Sequence, residues 1–276
     1  MPWELWVLTV VGAIWAQRAL RARARERYWR SRFPANDDGI VIGAEAQTLP
    51  ADGNRAILLV HGYNDTPASV LPLARVLQAA GWTVRVNREL LTTQSALGSN
   101  ALALLAMKLR EITNTVPPRA ADALKRVPIW LGVNDGHAPC AEYHPSKDWL
   151  VKNGYNPEKA KGVEIGNARK FIAWTPKQPM MILHELAHAY HDQVLSFDDT
   201  RIRAAFERAK SARRYESVER NNGRSERAYA LTDHKEYFAE ATEAFFGTND
   251  FYPFTREELR KHDREIHEVL AEVWAR

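Results

Sequence analysis

His184-Glu185-Leu186-Ala187-His188 is the stretch that decides how this chain is read. On a helix, residues four apart lie on one face, one turn from each other. Two imidazoles placed that way can bind one zinc ion, and the glutamate after the first can reach a water on that ion. The alternative is a surface helix with two polar faces. The flanks argue against it. Pro179-Met180-Met181-Ile182-Leu183 precedes the motif and Ala189-Tyr190 follows, so the spacing predicts a largely buried helix over about 179–195. Charged and imidazole groups on a buried helix cost several kcal/mol unless they are paired or bind a metal.

The length of 276 residues allows one or two domains and a sizeable core. Cys140 is the only cysteine, which excludes an internal disulfide and a cysteine-based zinc site. Any zinc must then be held by histidine and carboxylate. Cys140 follows the loop-like Gly136–Pro139 and reads as a packed side chain.

The net charge of +4 is unevenly spread. Residues 1–32 carry seven arginines against Glu4 and Glu26, a local +5, so the other 244 residues sum to −1. A nearly neutral body offers no basic face for nucleic acid, and no such partner is expected.

Residues 3–16 are apolar apart from Glu4 and Thr9. As a helix they would span about 21 Å, short of a hydrocarbon core of about 30 Å. Trp3, Trp6 and Trp15 sit near the ends, where interfacial aromatics belong, and Arg18 and Arg21 could snorkel. The arginines follow the apolar run, unlike a cleavable signal peptide. The expectation is an N-terminal membrane anchor and Arg-rich arm over 1–35, at an inner membrane, with the body cytoplasmic. An interfacial or packed helix is the alternative.

Ala56–Val60 reads as a short buried strand, His61-Gly62 as a turn, Ala68–Ala80 as a helix capped by Gly81, and Thr83–Val86 as another strand. This βαβ-like unit over 36–86 resembles the opening of a membrane-anchored α/β-hydrolase, where a His-Gly-aromatic turn helps to form the oxyanion hole. The chain has no Gly-x-Ser-x-Gly. Without a nucleophile the turn has nothing to stabilise, so His61 and Gly62 are read as structural.

Further on, Leu97–Thr113 and Arg119–Lys125 read as helices, Val127–Val133 as a strand and Asp148–Lys152 as a short helix. Val163–Ile165 and Phe171–Trp174 read as strand-like. A long helix is predicted over 234–246, capped by Thr232 or Asp233 and stopped by Gly247. Glu236 and Glu240 share one of its faces, Glu243 borders that face, and Tyr237, Phe238, Ala241, Ala244 and Phe245 form the packing face. Catalytic zinc takes three protein ligands and keeps a position for water. Either Glu236 or Glu240 could complete the pair of histidines. His191 lies near the face of His188 and is read as supporting the ligands or lying at the surface, since four ligands would close the site.

His-Glu-x-x-His, followed 48 residues after the second histidine by Glu236-Tyr237-Phe238-Ala239-Glu240, resembles the catalytic domain of gluzincin metallopeptidases of the anthrax lethal factor type. The wider likeness spans about 82–276 and includes Val127–Leu131 and Tyr143-His144-Pro145. The order of helices, strands, then a metal-binding helix followed by further helices suits an α+β zincin-like domain with a mainly helical C-terminal half, in which an edge strand lines the substrate cleft. The resemblance assigns the third zinc ligand to Glu236, a supporting carboxylate to Glu240 and a transition-state tyrosine to Tyr229. The function it implies is zinc-dependent hydrolysis of a peptide or protein substrate, with Glu185 moving the proton. A serine-type α/β-hydrolase and a non-catalytic anchored zinc module are the alternatives. The boundary with the N-terminal unit falls near 81–88.

Overall fold

A computed structural model describes residues 47–50, 56–59, 81–134 and 140–275. The expected N-terminal anchor, its Arg-rich arm, the His61-Gly62 turn and the 68–80 helix lie outside these residues. Among the described residues, no helix is long and apolar enough to cross a membrane.

Gln47–Pro50 (β1) and Ala56–Leu59 (β2) pair antiparallel as a separate two-stranded sheet. The main sheet has four strands. Val84–Val86 (β3), Ile129–Leu131 (β4) and, beyond a short strand Ala141–Tyr143 (β5), Val163–Ile165 (β6) supply the order β3-β4-β6-β5. The first three run parallel and β5 closes one edge antiparallel to β6. β2 and β3 sit in different sheets, and the turn and helix of the βαβ-like reading lie outside the described residues. β3 pairs instead with β4, in a register that aligns Val84 with Ile129 and Val86 with Leu131.

Successive residues of a strand point to opposite faces. Val84, Ile129 and Val163 therefore share a row, as do Val86, Leu131 and Ile165, and both rows face the core. Arg85, Trp130, Glu164 and Glu142 form the row on the other face, where the Arg85 guanidinium lies 4.6 Å from the Trp130 ring centre. Glu164 is 1% exposed, yet it is not alone. His144 Nε2 lies 2.8 Å from one of its oxygens and Lys159 Nζ 2.5 Å from the other.

Helices cover the apolar face. They include Arg88–Leu91 (α1), Ser95–Thr115 (α2), Pro118–Leu124 (α3), Ala168–Trp174 (α5) and Met181–Tyr190 (α6), whereas Lys147–Lys152 (α4) packs near His144, where Trp149 meets Tyr155. Thr200–Ser211 (α7), a minor hairpin of Val218–Glu219 (β7) and Ser225–Glu226 (β8), His234–Phe246 (α8), Arg256–His262 (α9) and Arg264–Trp274 (α10) follow. The expected α+β composition with a helical C-terminal half is what is observed.

One element differs in type from its sequence pattern. Phe171–Trp174 belongs to α5 and is not a strand. Asn167 accepts from the Lys170 N–H and starts the helix, and Ala168 and Phe171, three apart, are its buried positions, with the capping Thr175 buried one turn further on. Gly247 ends α8 as predicted, but for another reason. Its φ of −157° is extended backbone, and an added Cβ would come within 2.5 Å of the Met180 sulfur. Glycine here permits close packing and not a left-handed cap.

The C-terminal half is locked by aromatic stacking. The Trp274 ring lies 4.2 Å from that of Tyr190 on α6 and 6.0 Å from that of Phe238 on α8. Tyr190 also donates to the Val273 carbonyl at 2.9 Å. These contacts fix α6 and α8 side by side.

Candidate metal centre and its cleft

α6 is buried on nearly every side, from Met181 to Tyr190, apart from the partly exposed Glu185. Apolar residues at almost all other positions drive that burial, so His184 and His188 are carried inward and are each 9% exposed. The helix continues past Tyr190 as one wider turn, His191–Leu195. α8 begins where Asp233 accepts from the N–H groups of Lys235 and Glu236, and Tyr237, Phe238, Ala241, Ala244 and Phe245 are buried as predicted.

Packing the two helices brings three donor atoms together. His184 Nε2 lies 3.0 Å from Glu236 Oε2, His188 Nε2 lies 3.2 Å from the same oxygen, and the two imidazole nitrogens are 3.2 Å apart. The atoms form a triangle. A hydrogen bond directs its proton along one edge, so it cannot satisfy all three edges at once. A cation equidistant from the three can. Donors about 2.0–2.1 Å from a tetrahedral zinc are separated by about 3.3 Å, close to these edges.

The electrostatics agree. Burial opposes charge on His184, but hydrogen bonds to Glu236 and to Glu243 outweigh it and hold the ring well above its ordinary pKa of 6.5. Burial works against ionised Glu236 too, and the two histidines overcome it and hold the carboxyl well below its usual range. The pocket therefore favours a cation in its centre, as a proton or a metal.

Glu185 stands beside the triangle and accepts from the Tyr143 backbone N–H at 2.8 Å. That contact ties α6 to β5. The Gly166 N–H donates to the Cys140 carbonyl and the His144 N–H to the Gly162 carbonyl, so even-numbered residues of β5 face β6. By alternation, the backbone groups of Ala141 and Tyr143 face the other way, toward α6. β5 is thus an edge strand beside the metal triad. The expected edge strand exists, although its position was not predicted. Tyr143 is held by its hydroxyl, which donates to Asp192 at 2.6 Å.

Tyr229 reaches the site from the opposite side. Its hydroxyl donates to Glu236 Oε1 at 3.3 Å, and the side chain is 48% exposed. Burial of the hydroxyl and the nearby Glu236 push its pKa up to about 12, so it stays a donor at neutral pH. A cleft of about 590 Å³ joins these parts. Ala141–Tyr143 form one wall, Tyr229 and Glu236 another, and Tyr155, Trp174 and Phe197 add aromatic surface.

Two predicted residues are placed differently from expectation. Glu240 does not hydrogen-bond a ligand histidine. Its Oε1 is 3.8 Å from His184 Nδ1, and its buried Oε2 has no partner. Glu243, which sequence placed at the border of that face, lies 2.7 Å from His184 Nδ1. The two carboxylates could hold a cation together with His184 Nδ1, but the direct bond to Glu243 already satisfies that nitrogen. His191 contacts no polar group. It is 0% exposed, both ring nitrogens lack partners, and the rings of Phe238, Phe197 and His234 surround it at 4.8–5.8 Å. Its position is a core position and not a supporting one.

Comparison with known proteins adds little. No family model matches the chain, and no curated protein matches it. Among solved structures, the chain is similar to the Pro-Pro endopeptidase PPEP-2 from Paenibacillus alvei. The two share 21% identity over 70% of this chain and 98% of that one, at a TM-score of 0.38. A likeness of that size carries no argument.

Proposed function

We propose that the chain is a zinc-dependent peptide hydrolase. The observation that carries this reading is the closed triangle of His184, His188 and Glu236, whose edges suit a tetrahedral ion and not a hydrogen-bonded cluster. The donor set of two imidazoles and one carboxylate belongs to catalytic zinc, which leaves a coordination position free. When bound, the ion supplies Lewis acidity toward a carbonyl oxygen and toward water.

The remaining chemistry falls to side chains of the cleft. Glu185 accepts the proton of the attacking water and delivers it to the leaving amine. Tyr229 donates its hydroxyl proton as a hydrogen bond to the oxyanion that develops on the scissile carbonyl. With the Tyr143 N–H taken by Glu185, the outer edge of β5 offers the Ala141 backbone groups and the Tyr143 carbonyl to an extended peptide, which would add to the sheet as a further strand. This use of β5 favours a peptide over a compact small molecule. The cleft volume and aromatic lining suit several residues of such a peptide.

Replacing Glu185 by Gln tests the assignment. Turnover of an unbiased peptide library falls by about 10²–10⁴-fold while zinc content stays at the wild-type level. Undiminished hydrolysis by Glu185→Gln, or wild-type hydrolysis that survives complete removal of metal by a chelator, contradicts the reading.

A further inference from the structure

The carboxylate that supports a ligand histidine is expected, by resemblance, at Glu240. The geometry points to Glu243 instead. We propose that Glu243 is the positioning residue for His184, and that it sets both the ring's orientation and its tautomer. The inference rests on the zinc reading of the site.

Helix geometry explains the choice. Each residue turns the helix by about 100°, so a residue four beyond Glu236 is displaced by about 40° around the axis, and one seven beyond by about 20° the other way. Glu243 therefore lies closer in direction to Glu236 than Glu240 does, two turns along α8. His184 projects from α6 into the space between these turns. Its Nε2 meets Glu236 at 3.0 Å and its Nδ1 meets Glu243 at 2.7 Å. One imidazole is thereby held at both nitrogens by one helix.

The bond carries chemical information. With Glu243 ionised its oxygen accepts, and Nδ1 carries the proton. Nε2 then presents its lone pair to the triad, in the form that a metal requires. Glu243 is 5% exposed, so little water competes for its oxygens. Glu240 lies 3.8 Å away, too far to impose a tautomer.

The test measures the zinc dissociation constant of the full chain by competition with a chromophoric chelator, for wild type, Glu243→Gln, Glu243→Ala and Glu240→Gln. The cobalt-substituted proteins provide a visible absorption spectrum as a second readout that needs no turnover. Glu243→Gln is expected to weaken zinc binding by about 10-fold and Glu243→Ala by up to about 100-fold, the usual range for such supporting groups. Glu240→Gln is expected to lose less than Glu243→Gln, and the cobalt spectrum is expected to change in the Glu243 variants. The isosteric Gln keeps the test usable if the Ala variant fails to fold. Equal losses in the two Gln variants, or a larger loss in Glu240→Gln, would overturn the proposal. A wild-type chain that binds no zinc removes the zinc reading itself, and that result is distinct from a reversed order among variants.

Discussion

Two sites of buried charge in this molecule, one on the sheet and one on α8, are built on opposite plans. Glu164, on the sheet, sits between Lys159 and His144, so it has its own cation, Lys159, and an imidazole as a second partner. Glu236, Glu240 and Glu243, on α8, have two histidines near them and no lysine or arginine bonded to them among the described residues. Burial and mutual repulsion push Glu240 well above the usual carboxylate range. Burial also raises Glu243, against the pull of His184. The first cluster is complete as folded. The second gathers three carboxyl groups in a dry place, two of which resist ionisation without a cation beside them, the arrangement that a divalent cation would stabilise. The contrast separates a structural use of buried charge from a binding one.

The largest expected effect breaks the closed cluster. Glu164→Ala leaves Lys159 and His144 without their shared partner and should lower unfolding free energy by about 3–5 kcal/mol, measured by urea denaturation of the metal-free chain. Its zinc dissociation constant should stay at the wild-type value. A variant that keeps its stability, or that loses zinc while still folded, would erase the distinction between the clusters.

His191 gives a smaller effect with a definite sign. Burial chiefly, with help from His234 and His188, lowers its pKa to about 3 from an ordinary 6.5. The folded ring therefore stays neutral below pH 6.5, where the unfolded ring takes up a proton. Stability from this residue is intact above pH 6.5 and falls as pH drops toward 3. The loss amounts to about 2 kcal/mol by pH 5. His191→Phe should flatten the pH dependence of stability over that window, and an unchanged slope would show that the ring is protonated in the fold.

The smallest effect lies outside both clusters. Asp199 caps α7 by accepting from the Arg201 and Ile202 N–H groups. Burial opposes its charge, but Arg201 and these N–H groups win and lower its pKa. Its contribution is thus present above the ordinary pKa of 3.8 and is lost as pH falls through the lower folded value. Asp199→Ala should cost about 1 kcal/mol at neutral pH in thermal unfolding and leave zinc affinity unchanged. A shift in zinc affinity would mean that α7 is coupled to the site.

The parts legible in the sequence were those set by local spacing. His184 and His188 share a face because of helical period alone, and the Asp233 cap and the packing face of α8 follow from neighbouring residues, whereas Gly247 is required by contact with the distant Met180. What escaped depends on partners far along the chain. β5 is three residues long and is a strand only because β6 pairs with it. The rank of Glu243 over Glu240 depends on how α8 is rotated against α6, which stacking of Trp274 on Tyr190 and Phe238 helps to fix. His191 sits at the expected spacing, but aromatic neighbours from α8 and the 196–199 turn enclose it. In α5, the apolar run Phe171-Ile172-Ala173-Trp174 looked like a strand, and the signal against it was the capping Asn167.

The central claim is that the triangle of His184, His188 and Glu236 holds one zinc ion. Its most direct test is equilibrium zinc binding by the full chain, compared with His184→Ala, His188→Ala and Glu236→Gln. The account predicts one tightly bound zinc per chain and a loss of affinity of at least about 100-fold in each variant, given that each removes one of three protein ligands. Wild-type stoichiometry far below one, or zinc retained with wild-type affinity in any of the three variants, would contradict it.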